Sequence, residues 1–143
     1  MLKKNDILFL ITAAALLSAG LRFFFFKGLA VESNSMFPLL QQGDQIIILK
    51  KNPFFRLHTG DLAVCRLNPG QALTCRLAGR GNLIIKRAVR IDESGIFLLG
   101  DNYTNSLDSR VFGTVSSGQI VGKALLIIYP LRRAGFLAPR HKR

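Results

Sequence analysis

The chain has 143 residues, 49% of them hydrophobic, and a mean hydropathy of +0.28. That length suits one domain with a modest core and excludes a large second lobe. The 20 Lys and Arg against 8 Asp and Glu give a formal charge of +12, which points to an anionic neighbour, either nucleic acid or an acidic lipid surface.

Two lysines, Lys3 and Lys4, precede an apolar run from Ile7 to Phe26. At about 1.5 Å per residue, such a run matches the hydrocarbon thickness of a bilayer. Arg22 interrupts it near the far end, where a long cation can snorkel to the headgroups. Phe23 to Phe26 suit an interfacial belt. A cleavable signal peptide is the rival reading, with Ser18, Ala19 and Gly20 as its cleavage site, but the apolar run continues past them. The expectation is a retained single transmembrane helix. Lys3 and Lys4 before it, against Lys27 after it, place the N-terminus in the cytoplasm and the remainder outside.

From Val31 onward, short apolar runs alternate with Gly, Pro, Asn and Asp. Strands are predicted at Gln45–Leu49, Asp61–Cys65, Asn82–Ile91, Gly95–Leu99 and Gln119–Tyr129. A further strand at Leu73–Arg76 is expected to fold back across a turn at Asn68-Pro69-Gly70. The pattern is all-β. After Pro130, the basic stretch to Arg143 reads as a loose tail, with contact to anionic lipid as its functional version. The expected organisation is a stub and anchor over 1–30, a catalytic domain over 31–130 and a tail over 131–143. Cys65 and Cys75 do not form a CxxC pair, and two distant histidines argue against a zinc site. Both cysteines read as small buried hydrophobes, with one disulfide as the alternative.

Three segments carry the chemistry: Ser33-Asn34-Ser35-Met36-Phe37-Pro38, then Lys86-Arg87, then Gly100-Asp101-Asn102 followed by Asn105 to Arg110 and Gly113. A serine hydroxyl becomes a nucleophile when a neighbour takes its proton. His141 lies in the tail and His58 in a loop without an evident partner, so a Ser-His pair is not favoured. A lysine serves as the base if burial lowers its pKa. Lys86 lies in an apolar run, with Ile84 and Ala88 on its strand face.

These boxes, in their order and spacing, resemble the type I signal peptidase family of Ser-Lys dyad proteases, over Val31 to Pro130. Ser33 to Pro38 is similar to the family's S-x-S-M-x-P box, and Gly100 to Gly113 to its GDN-x-x-NS-x-DSR-x-x-G box. The resemblance implies a β fold like that of signal peptidases and SOS-repressor proteases. It makes Ser35 the nucleophile and Lys86 the general base. Ser33 would join the backbone N–H of Ser35 in the oxyanion hole. Ser106 would hydrogen-bond and orient Lys86, and Asp108 would pair with Arg110 to hold the loop. Leu39 stands where the family often has Thr, and Tyr103 and Thr104 replace a charged pair. The short stretch between base and GDN box leaves no room for the accessory domain of many bacterial enzymes. In this the chain resembles the mitochondrial inner-membrane peptidases and the maturation proteases of nickel superoxide dismutase.

The implied activity is removal of N-terminal signal peptides or propeptides from precursor proteins at a plasma (inner) membrane, catalytic domain outside, with no cofactor or metal. The expected partners are a precursor protein and membrane lipid, not nucleic acid. The alternatives are a maturase for one precursor and a non-catalytic, basic, membrane-tethered binding protein. A self-cleaving SOS-type repressor is disfavoured, since no DNA-binding helix pair precedes the catalytic box.

Overall fold

The computed structural model describes residues 3–75 and 82–140, apart from the side chains of residues 21–23. It opens with helix α1, Lys4–Phe25, which passes directly into strand β1, Phe26–Ala30. Residues 26–30, assigned from the sequence to the anchor segment, thus belong to the sheet: β1 pairs antiparallel with β2, Gln45–Lys50. With the side chains of 21–23 left out, no helix among the described residues is long and apolar enough to cross a membrane. The expected role of Arg22 falls on those undescribed side chains.

The remaining elements are β3 (Leu62–Arg66), α2 (Pro69–Thr74), β4 (Leu83–Asp92), β5 (Gly95–Leu99), α3 (Ser109–Phe112), β6 (Ile120–Tyr129) and β7 (Gly135–Phe136). The described strands form one antiparallel sheet ordered β1-β2-β6-β3-β4-β5, with β7 added on β6. The domain is all-β, as its alternating runs require. Central strand β3 is buried at Leu62, Ala63, Val64 and Cys65, which explains why its sequence is continuously apolar rather than alternating. Its two faces feed two cores. Ala63 and Cys65 pack with Ala88, Leu98 and Phe112. Leu62 and Val64 pack with Leu40, Ile46 and Ile48. Gly122 on β6 passes so close to Leu49 that a side chain there would strike the Leu49 carbonyl oxygen, so glycine is what allows β2 and β6 to meet at that point.

Two expectations are corrected. Leu73–Arg76 is not a returning strand: residues 69–74 are helical, and Arg76 lies outside the described residues. The reason is a reciprocal cap. The Asn68 side chain accepts from the Gln71 N–H at 2.8 Å, and the Gln71 side chain accepts from the Asn68 N–H at 3.2 Å. Proline at the first helical position completes a helix start. Nor is the C-terminal segment loose over its described length. β7 pairs with Leu126 and Ile127, and Leu137 packs on the second core. Arg133 holds the buried Asp44 carboxylate through Nε and Nη2, both at 3.0 Å. A buried carboxylate needs such a partner, and the tail supplies it. The last three basic residues, 141–143, lie outside the described residues.

Cys65 and Cys75 are free thiols buried in the first core. Burial pushes the Cys65 thiol up to about 12.

Candidate active site

Lys86 lies opposite Ala63 of β3, with Ile84 and Ala88 of its own strand face packed into the first core. Only 4% of the residue is exposed. It forms no salt bridge among the described residues. Its Nζ donates to Ser35 Oγ across 2.5 Å, joining residues 51 apart in sequence. Burial pushes the amine down to about 8, although the nearby Asp108 carboxylate and Cys75 thiol act the other way. Desolvation is the larger effect, and Asp108 makes its own ion pair with Arg110 rather than with Lys86.

That commitment is bidentate. Arg110 Nε and Nη2 each donate to Asp108 at 2.8 Å, and the Gly100 and Arg110 N–H groups add further bonds. Burial alone would raise the Asp108 carboxyl, but these donors outweigh it and hold it down to about 2. The Arg110 guanidinium also stacks 3.8 Å from the Tyr103 ring. Asp108 caps α3, so the pair fixes the loop carrying the third box.

The Ser33 and Ser35 hydroxyls are 3.3 Å apart. No hydrogen bond engages the Ser35 backbone N–H among the described residues, so a hydroxyl and an amide are both available beside Ser35 Oγ. The expected Ser106–Lys86 bond is not formed. The Ser106 Oγ is buried without a hydrogen-bond partner. It lies close enough to Asp108 to favour the charged carboxylate but outside hydrogen-bonding geometry. Gly100 explains the placement: a Cβ there would collide with Ser106 Oγ and with the Ser35 carbonyl oxygen.

Two contacts escaped the sequence reading. Asn102 donates its N–H to Ser35 O at 3.0 Å and its Nδ2 to Asn34 O at 3.1 Å, clamping the serine loop to the third box. Arg87, 2% exposed, donates to Asp101 through Nε at 2.7 Å and Nη2 at 2.5 Å, and to the Gly60 carbonyl through Nη1 at 2.7 Å. The signal was present: opposite charges in two boxes, each without another assigned partner.

A cleft of about 400 Å³ adjoins the pair. Leu29 to Ser33 with Ser35 form one wall and Leu83 to Lys86 the other. Among the described residues, both walls have open backbone edges. β1 is terminal in the sheet, and β5 pairs with β4 only from Arg87 onward. Among the described residues, no cluster of His, Cys, Asp and Glu is arranged to hold a metal.

The sequence profile of the family described as "Signal peptidase, peptidase S26" matches residues 4–89 and 83–129. The chain belongs to this family. A probable signal peptidase I-1 from Synechocystis is 28% identical over 166 residues, covering 90% of this chain and 84% of that protein. The mitochondrial inner membrane protease subunit 2 of Schizosaccharomyces pombe is 31% identical over 120 residues, covering 73% and 66%. A signal peptidase I from Bacillus caldolyticus is 26% identical over 162 residues, covering 82% and 87%. Membership makes the chain a protease of the signal peptidase type, and the cleft holding Ser35 and Lys86 is its candidate active site.

Proposed function

We propose that this signal peptidase-family chain is a membrane-bound serine endopeptidase that removes N-terminal signal peptides or propeptides from precursor proteins. The observation that carries this reading is the 2.5 Å bond between Lys86 Nζ and Ser35 Oγ in a site that disfavours the charged amine. Neutral Lys86 takes the Ser35 proton as the oxygen attacks the scissile carbonyl. The Ser33 hydroxyl and Ser35 N–H stabilise the oxyanion that develops. The ammonium returns its proton to the leaving amine, and water then releases the acyl-enzyme with Lys86 again as base. The precursor lies as an extended strand between the open edges of β1 and β4, so backbone pairing positions the scissile bond. Asn102, Asp108 and Arg110 keep the serine loop and the base in register.

The anchor reading rests on α1. Its 22 residues span about 33 Å at 1.5 Å per residue, and Ile7, Leu8, Phe9 and Leu10, which cover a full helical turn, are all exposed. Because Phe25 leads directly into β1, which itself lines the cleft, the site is held close to the bilayer. The N-terminus lies in the cytoplasm and the catalytic domain outside the inner membrane.

The test is cleavage of a panel of precursor proteins by the full chain in detergent, beside Ser35→Ala and Lys86→Ala. Cleavage by the wild type, lost by about a thousandfold or more in both variants with folding preserved, is expected. Cleavage of one precursor alone would make the chain a dedicated maturase, such as one for nickel superoxide dismutase. Unchanged cleavage in Lys86→Ala would overturn the dyad, and no cleavage at all would favour a non-catalytic binding protein.

A further inference from the structure

Among 8 acidic residues in a chain of charge +12, five are tied to cations: Asp44, Asp61, Asp92, Asp101 and Asp108. Glu32 is different. It is exposed, has no ion pair or hydrogen bond among the described residues, and lines the cleft. Glu32 and Lys86 are the two ionisable side chains among the lining residues. When Lys86 is neutral, as attack requires, Glu32 leaves the cleft with one negative charge.

Its backbone gives it a place relative to substrate. The Val31 N–H donates to Asp44 O and the Val31 carbonyl accepts from Gly43 N–H, both at 2.8 Å. In extended chain the next residue directs its N–H and C=O the opposite way, so those of Glu32 face the open edge where a precursor strand would pair. Val31 is buried in the second core, and alternation turns the Glu32 side chain out of that core. It lies three residues before the nucleophile and lines the same cleft as Ser35 and Lys86.

We infer that Glu32 is a specificity-determining residue that selects precursors carrying a Lys or Arg beside the scissile bond. The inference rests on the peptidase reading above. The field of the whole chain repels cations but is screened beyond about 8 Å at physiological salt, so recognition is a local pairing at the cleft. Glu32 meets its cation only in the complex, which is why the free protein leaves it unpaired.

The test uses the full chain in detergent and matched peptides carrying Lys, Gln or Glu at each position flanking one scissile bond. The readout is the ratio of kcat/KM for the Lys and Glu versions, in wild type, Glu32→Gln and Glu32→Lys. At one position the wild type is expected to prefer Lys by about tenfold. Glu32→Gln flattens that ratio, Glu32→Lys inverts it, and added salt erodes it. Equal cleavage of the Lys and Glu versions at every position, or a preference that survives Glu32→Lys, would overturn the inference and leave the peptidase reading standing. No cleavage of any peptide by the wild type would overturn both.

Discussion

Neighbouring residues on β4, Lys86 and Arg87, are both buried cations, and the molecule handles them in opposite ways. Arg87 points to one side and meets a bidentate carboxylate and a carbonyl. Lys86 points to the other and meets a hydroxyl. A guanidinium cannot give up its proton in a protein, so its burial demands a full set of acceptors. An amine can, and burial without a carboxylate partner pushes it to do so. The paired guanidinium holds structure together; the unpaired amine, once neutral, is what the proposed mechanism needs as its proton acceptor. The Asp108 carboxylate, whose charge acts on Lys86, is paired with Arg110 instead, so under the proposed mechanism this second ion pair leaves the amine without a salt-bridge partner.

Removing a partner should separate the two cations sharply. Asp101→Asn leaves Arg87 charged, buried and under-satisfied. A loss of about 3–5 kcal/mol of stability is expected, read by urea unfolding. A loss below about 1 kcal/mol would mean that the pair is not buried in solution. Lys86→Met should do the reverse: the enzyme is dead, yet more stable. Displacement of the amine from its ordinary 10.5 to about 8 corresponds to an upper limit of roughly 3 kcal/mol. The sign follows from proton counting. Between the two values the unfolded chain holds the proton that the folded chain has lost, so stability rises with pH there. The advantage of Lys86→Met is therefore fully present below about pH 8 and fades as pH climbs toward 10.5. Equal stability of wild type and variant below pH 8 would show that Lys86 pays no burial penalty.

Much of this was legible in the sequence, and the exceptions share a cause. The runs 45–49, 61–65, 82–91, 95–99 and 119–129 all lie on observed strands to within a residue or two, because alternation and turn residues are local signals. The proximity of Ser33, Ser35 and Lys86 was also readable, through the order of the boxes. Misread local chemistry explains α2: Asn68-Pro69-Gly70 suits a hairpin turn, but Gln71 three residues after Asn68 turns it into a helix cap. Long-range partners explain the rest. Nothing near Arg133 announces that Asp44 awaits it 89 residues earlier, and nothing near Asn102 points to the serine loop. Ser106 was assigned a bond by motif position, whereas the tight packing of Gly100 decides where its hydroxyl sits. The tail looked solvated because its composition is basic, yet one buried carboxylate and a two-residue strand were enough to dock it.

The most direct test of the central claim is the pH dependence of kcat/KM on a cleaved precursor peptide, which reports the pKa of the free enzyme's base. If neutral Lys86 is that base, activity rises about tenfold per pH unit on the acid side and levels off near pH 8. A profile already flat between about pH 6 and 9 would contradict it, because the group accepting the Ser35 proton would then not be this lysine.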